Sequence, residues 1–574
     1  MTAHTRAGEI QKKPLLSKIP DWMAFLSFCV LFLTLTVLSA REKSGTWDET
    51  THLPAGYLHL RFADYDFNRE HPPLVKMLAA LPLLFVDIKV PHREWPLDTY
   101  KEFEFGHRFL YEANDGDQLL FLGRVAVLPL ALLLGSVVFL WAKQLFGREA
   151  ALLALLLYSL EPNILAHSGL VHTDFGAACF TFITVYSFYR LVQQVSLTHL
   201  AFAGFALGLA LVTKFSTITL IPILVVLAAF VGILQGPIEL QLAGVRGRRV
   251  SSQVSKLLIL CGAMVGMWLL AYGTIWTSYR FGYEGPLVPE KRSIERELLG
   301  TEETSLLPRA YLDGLSHVFK SSKRYAFLMG ERSTDGWWYY FIVTFLLKTP
   351  LPLLLLLAFT PLTLHRLWRE KPVAVLCLLV PVLLVFGVAS ASRLNIGHRH
   401  ILPIYPFLIV MASSLLPWAL RQRNLVKGGL SALAVWYVIS SGSIFPHYLA
   451  YFNELVGGPS NGYKYLVDSN LDWGQDLKGL KRYMDEHGIR RVWLSYFGTA
   501  SPDYYGIAYN YLPSYLIFHP NPEKEPTPYV AISATNLQGV YLPVLRLSPD
   551  FFEPLKHRQP IAKIGYSIFL YRME

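Results

Sequence analysis

The sequence predicts a mainly α, polytopic membrane protein with about eleven transmembrane helices, followed by a small C-terminal extracytoplasmic α/β domain. Three observations predict it. Of the 574 residues, 53% are hydrophobic and only 16% charged, a balance too apolar for a soluble globular chain of this length. The apolar residues are gathered into runs of about 17–25, the length that crosses a hydrocarbon core. After residue 446 the pattern breaks into short apolar segments separated by turn residues, the mark of strands and one amphipathic helix.

The runs fall at 22–40, 119–141, 149–166, 172–191, 198–213, 216–235, 257–276, 342–364, 373–391, 401–420 and 428–446. A polar, basic stretch with Arg6, Lys12, Lys13 and Lys18 precedes the first run, and Arg41, Glu42 and Lys43 follow it without a small-residue cleavage site. It therefore reads as an uncleaved anchor with its N-terminus inside. The inner loops are then 142–148 (Lys143, Arg148), 236–256 (Arg246, Arg248, Arg249, Lys256), 365–372 (His365, Arg366, Arg369, Lys371) and 421–427 (Arg421, Arg423, Lys427). Each is basic and almost free of acids, as positive-inside topology requires; loop 192–197 is neutral. Segments 41–118, 167–171, 277–341 and everything after 446 are placed outside.

The net charge of +10 reflects these loops and an affinity for anionic membrane lipid, and no nucleic-acid-binding pattern accompanies it. Cys29, Cys179, Cys261 and Cys377 all lie in apolar runs. They read as small core residues, neither a disulfide framework nor a zinc site.

Chemistry concentrates just after the first run, in WDETTHLPAGYLHLRFADYDFNREHPPLVKML (47–78). Asp48 and Glu49 sit a few residues from a membrane exit, where ionised carboxylates are costly unless they face water, a cation or a substrate. His52, Glu70, His71 and Lys76 keep them company. The next outer loop, EPNILAHSGLVHTDF, adds Glu161, His167, His172 and Asp174. His172 and Asp174 are spaced to hold a divalent cation or to position each other and a substrate hydroxyl. Cations also stand where topology gives them no reason to be: Lys76, Lys214, Lys348, Arg393, His398, Arg399 and His400. An anionic ligand, above all the phosphate of a lipid carrier, is the physical reason that fits several such loops at once; snorkelling or a local ion pair is the alternative for each alone.

In order and spacing, WDE after the first run, EHPPLVKML, EPNILAHSGLVHTD, LVTKFS and GWWYYFIVTFLLKTP resemble the family of the protein O-mannosyltransferases and the lipid A aminoarabinose transferase, within the C-type glycosyltransferase (GT-C) superfamily. The resemblance covers roughly the first 400 residues. It implies a multi-pass enzyme, in a bacterial inner membrane, that moves one sugar from a polyprenyl-phosphate donor to a protein or glycolipid acceptor with inversion, on the periplasmic or extracellular face. It further implies that Asp48 is the catalytic acid-base residue, that Asp174 is the acid of the second outer loop, and that Lys76, Lys214 and Arg393 or Arg399 bind the carrier phosphate. Lys348 and His398 join this set as cations flanking later spans, and His52, His71 and His172 as substrate-positioning groups. No trefoil-like insert separates the spans, so acceptor identity does not carry over.

The residues suit that chemistry without the family. A polyprenyl phosphate is a stable anionic leaving group, so no nucleotide-binding glycine loop is required, and none is present. One carboxylate must take the acceptor proton, and cations must meet the phosphate charge. A retaining route using Asp48 with Glu49 stays open, as do a transporter or flippase and a non-catalytic assembly subunit.

Two regions complete the reading. Segment 277–341 is expected to hold a helix-prone stretch at Lys291–Glu303, a second helix over LPRAYLDGLSHVF, and an interfacial belt at Trp337, Trp338, Tyr339 and Tyr340. The tail, 447–574, is expected to fold apart from the transmembrane unit, 1–446. It offers a helix with Leu477, Leu480 and Met484 on one face, and strands in RRVWLSYFG, PYVAISATN and GYSIFLYRM. Its acids Asp468, Asp472 and Asp476, with Trp473, read as capping and solvated loop groups, with acceptor binding the alternative.

Overall fold

The computed structural model describes residues 20–92, 99–242, 245–281, 306–320, 324–518, 520 and 524–573. The basic N-terminal stretch and the helix expected at Lys291–Glu303 lie outside them. The fold is mainly helical. Among the described residues eight helices are long and apolar enough to cross a membrane, and two bent pairs raise the number to as many as ten. The remaining apolar run, 198–213, folds as Leu197–Leu211; its 15 residues reach about 22 Å, short of a bilayer core.

The first elements are α1 (Asp21–Glu42), α2 (Glu49–Phe62), α3 (Leu74–Ala80), α4 (Thr99–His107), α5 (Gly116–Phe146), α6 (Arg148–Ser159), α7 (Pro162–Ser168) and α8 (Thr173–Gln193). Asp21 at the start of α1 pairs with Lys143 at 2.6 Å and Arg148 at 2.5 Å, so the start of α1 and the 142–148 loop share one end of the bundle. Strand β1 (Gln194–Ser196) pairs in parallel with β2 (Ile238–Leu242), which pairs antiparallel with β3 (Val245–Val250). That sheet fastens loop 192–197, which is neutral, to the basic loop 236–256, two loops that the alternation of spans puts on one side. The other end of the bundle, the head, collects segments 43–80, 161–174, 214–217, 393–400 and 446–476.

Two spans break at the head. The α6–α7 pair bends by 61° at Glu161–Pro162, and the pair Tyr340–Lys348 and Leu351–Phe359 bends by 108° at Thr349–Pro350. Proline supplies no N–H and keeps the preceding residue out of helical geometry. At the Thr349–Pro350 break the freed carbonyls are met by side chains, as apolar surroundings demand. Asn163 Nδ2 donates to Lys348 O at 2.8 Å, and Asn453 Nδ2 donates to Leu346 O and Thr349 O.

Helix α2 is buried along most of its length. It crosses α3 so closely that a Cβ on Gly56 would stand 1.9 Å from Lys76 O; only glycine allows that approach. Cys179 and Cys377 are buried and Cys29 partly so, whereas Cys261 is exposed, a correction to its reading as a core residue: its helix turns that face out of the bundle.

Strands β4 (Ala326–Leu328) and β5 (Glu331–Ser333) form a hairpin. The tail carries a five-stranded sheet of β6 (Val492–Ser495), β7 (Tyr509–Tyr511), β8 (Tyr529–Ser533), β9 (Ala562–Ile564) and β10 (Ile568–Arg572), in the order 7-6-8-10-9. β6 runs parallel to β7 and β8, and β10 runs antiparallel to β8 and β9. The helix Leu477–Glu486 buries Leu477, Leu480 and Met484, and LPRAYLDGLSHVF is helical over Arg309–Lys320. In the aromatic belt Trp338 is exposed, but Tyr340 is buried and accepts from Asn470 Nδ2 at 2.9 Å.

Candidate active site

Beyond α1 the chain is extended, and the tail fixes its path. Ser44 N–H donates to Gln475 O and Trp47 N–H to Trp473 O, both at 3.0 Å. This delivers Asp48 to the N-terminus of α2. Its carboxylate does not cap that helix; instead Oδ2 accepts from Arg399 Nη1 at 2.5 Å. The same Nη1 lies 3.5 Å from Asp174 Oδ2, and Lys214 Nζ donates to Asp174 Oδ1. Four charges therefore alternate, Asp48, Arg399, Asp174 and Lys214, drawn from four distant parts of the sequence. The Arg399 guanidinium lies 4.2 Å from the centre of the Trp473 ring. The Asp48 side chain keeps 16% of its surface open, against 3% for Asp174, so only Asp48 is placed to meet an incoming hydroxyl. Burial alone would raise the Asp48 carboxyl, but Arg399, joined by His52 once acid protonates it, outweighs burial and holds the carboxyl below its ordinary range.

Glu49 is placed differently. Its two oxygens take a bidentate pair from Arg124, at 2.8 and 2.6 Å. They also accept from Thr46 N and Oγ1 and from Val171 N. Arg124 spends its other donors on Ala40 O, Lys43 O and Ser44 O, closing the C-terminal end of α1. Burial pushes Glu49 up, yet Arg124 and the backbone donors keep it low. With every lone pair engaged and no exposed surface, Glu49 has nothing left for a reacting atom. Arg124 was legible in sequence as one arginine inside an apolar run, where a charge needs a partner.

The cations expected to converge on one phosphate do not converge. Lys76 Nζ donates to Asn68 O at 2.8 Å, His71 O at 2.7 Å and Asn68 Oδ1 at 3.3 Å, which uses all three of its protons. Burial lowers it to about 7. Lys348 Nζ donates to Leu449 O and Asn470 O. Arg393 is exposed and faces Asp335 at 3.2 Å. His398 bonds Tyr405 Oη at 2.6 Å, and Lys214 is held by Asp174. Arg399 remains, with a buried Nε that has no partner.

His52 Nδ1 lies 3.2 Å from Val171 O, and its ring meets the edge of His71 at 5.2 Å. Burial lowers His52 to about 4 and takes His71 well below its usual range, so both are neutral imidazoles. His71 Nδ1 and His400 Nε2, like Arg399 Nε, are buried without partners. His172 Nδ1 accepts from Asp174 N and caps α8, while its Nε2 meets His167 O at 3.0 Å. Among the described residues no group of three or more His, Cys, Asp or Glu is placed to hold a metal, and cationic side chains already occupy the Asp174 carboxylate.

The tail acids are not solvated loop groups. Asp468, Asp472, Trp473 and Asp476 are all buried. Asp476 pairs with Lys43 at 2.6 Å and makes no helix cap. Burial raises Asp472 to about 8, leaving a neutral acid that accepts from Thr535 N. Asp468 adopts a left-handed backbone, φ 57°, and accepts from Tyr541 Oη at 2.5 Å. Sequence could not show this, because burial of the segment comes from its docking on 43–48 and 396–399.

The chain meets known proteins at this point. Residues 117–244 match the model of the dolichyl-phosphate-mannose-protein mannosyltransferase family. The match includes Asp174 and Lys214 and agrees with the resemblance carried by the motifs. No curated relative matches. The structure is similar to that of ArnT from Cupriavidus metallidurans in the apo state, with 14% identity, 81% of this chain and 72% of that chain covered, and a TM-score of 0.44. For ArnT bound to undecaprenyl phosphate the values are 13%, 95%, 97% and 0.45. For the oligosaccharyltransferase AglB from Archaeoglobus fulgidus, in complex with an inhibitory peptide and a dolichol-phosphate, they are 13%, 83%, 60% and 0.42.

Proposed function

We propose that this chain is an inverting glycosyltransferase that moves a single sugar from a polyprenyl-phosphate donor to an acceptor hydroxyl or phosphate at the head of the bundle. The observation that carries the reading is the engagement of Asp48, the least enclosed carboxylate of the charge ladder, with an arginine that keeps one buried donor unused. Asp48 takes the proton of the acceptor as its oxygen attacks C1, and the C1–O bond to the carrier phosphate breaks with the electron pair leaving on phosphate. Arg399, through Nε, meets that charge. As phosphate competes for the guanidinium, the hold on Asp48 weakens and its basicity rises toward what burial favours. Asp174 and Lys214 keep the guanidinium in place.

In this reading all eleven apolar helices belong to a GT-C type transmembrane unit, 1–446, with the tail on the extracytoplasmic side. The head then faces the periplasm or cell exterior. The bent spans are what a transporter would also use, but at the Thr349–Pro350 break the carbonyls of Leu346, Lys348 and Thr349 already accept from Asn163 and Asn453 side chains rather than standing open to an ion. The test is transfer by purified protein of labelled sugar from a polyprenyl-phosphate donor to an envelope extract, with Asp48→Asn as the control. Transfer by the wild type and its loss in the variant support the reading; equal rates in both sink it.

A further inference from the structure

The mechanism leaves unused a cluster of rings beside Asp48. Trp47, the residue before it, stacks on Phe497 with centroids 4.9 Å apart and on Tyr515 at 5.4 Å, with planes within 23° and 7°. Phe497 and Tyr515 in turn stack on Tyr541 at 5.3 and 5.4 Å, with planes within 9° and 14°. Four rings from four separate stretches thus lie nearly parallel in one closed circuit. The frame under them is rigid: Thr499 Oγ1 bonds Thr50 Oγ1 at 2.7 Å, and Phe497 N donates to Ser533 Oγ at 3.0 Å. Phe497 and Tyr541 are buried, but Trp47 and Tyr515 are only half-buried.

The rim of this slab is polar. Tyr541 Oη donates to the buried Asp468 carboxylate, whose backbone is left-handed, a conformation aspartate tolerates better than most residues. Arg324 lies within electrostatic reach of Tyr515 and Tyr541, and 3.5 Å from Glu70; Glu70 also faces His317 at 3.4 Å. Trp47 also meets the edge of Phe103 at 5.4 Å; stacked aromatic rings with a carboxylate at one edge and a guanidinium in electrostatic reach are chemically matched to a pyranose. The ring's C–H face, slightly positive, lies on aromatic faces, and its equatorial hydroxyls reach the charged rim. A lipid tail would gain nothing from that rim.

We infer that the Trp47–Phe497–Tyr515–Tyr541 slab is a pyranose-binding subsite that seats a sugar ring one residue from the proposed base. The inference rests on the glycosyltransferase reading but is tested apart from it. The measurement is saturation-transfer NMR on the full chain in nanodiscs free of sugar-headed detergent, with maltose, mannobiose and chitobiose as probes and a Ser/Thr-rich decapeptide as control. At least one disaccharide should receive saturation on its C–H protons. Tyr515→Ala should weaken that binding about tenfold, as loss of a stacked ring implies, while Tyr515→Phe retains it. Adding glycosylated polyprenyl phosphate assigns the sugar: suppression by it but not by bare polyprenyl phosphate marks the donor's ring, and no suppression by either marks the acceptor's. Saturation of the peptide alone, of no probe, or equally in wild type and Tyr515→Ala overturns the inference. Should Tyr515→Ala fail to fold, Tyr515→Leu, which keeps apolar bulk without a ring face, takes its place and should weaken binding likewise. Sugar binding without any transferase activity would keep the subsite and remove the proposed function.

Discussion

Arg399 Nη1 stands 2.5 Å from Asp48 Oδ2, joining a residue at the end of the first span to one 351 positions later. This contact sets the pH behaviour of the site. Arg399 holds the Asp48 carboxyl below its ordinary range, so the base stays ionised well into acid. Replacing Arg399 by Gln removes the chief cation that opposes burial, which raises that pKa. The acid limb of kcat/KM should therefore move to higher pH in Arg399→Gln. An unmoved limb would show that Asp48 is not the titrating base.

Asp48→Asn keeps size and hydrogen bonding but cannot accept the proton. Turnover should fall at least about 100-fold, with the loss in kcat rather than in donor binding. Polyprenyl-phosphate affinity, measured on the same preparation, should stay within a few-fold of wild type.

Glu49→Gln tests the opposite assignment. Breaking one side of a buried ion pair costs about 3–5 kcal/mol, so this variant should lose thermal stability in detergent and show low yield. A stable Glu49→Gln protein without turnover would instead return Glu49 to catalysis.

For Asp174 and Lys214 a double-mutant cycle is decisive. Asp174→Asn leaves the Lys214 ammonium without its carboxylate, Lys214→Met leaves Asp174 with only the longer contact to Arg399 at 3.5 Å, and the double variant removes both charges. The double variant should be more stable than either single one, with a coupling of about 0.5–3 kcal/mol. Additive losses would mean that the two side chains do not act on each other.

Lys76 carries a prediction in the sense opposite to a phosphate clamp. Its folded pKa of about 7 lies below the usual lysine value near 10.4, so the unfolded chain binds more protons between those limits. Stability contributed by this group should rise with pH from 7 toward 10. The rise in melting temperature over that window should shrink in Lys76→Gln. Lys76→Ala would strand the carbonyls of Asn68 and His71 and cost stability rather than donor affinity.

The sequence alone determined the membrane class, the apolar runs that form the eight long helices and the two bent pairs, and the tail strands β6, β8 and β10, because each is written in local composition and period. It also determined that Asp48, Asp174, Lys214 and Arg399 are charges in costly places, since a charge at a membrane boundary is conspicuous without coordinates. Which charge meets which was decided only by the tertiary structure. Glu49 is adjacent to Asp48 in sequence yet belongs to Arg124, and Lys76 looks like Arg399 in sequence yet donates only to the oxygens of Asn68 and His71. The acids of 468–476 read as solvated because nothing local distinguishes a loop acid in water from one buried against another segment. The physical reason is common to all three cases: desolvation and pairing depend on contacts between residues far apart in the chain, and those exist only once the chain is folded.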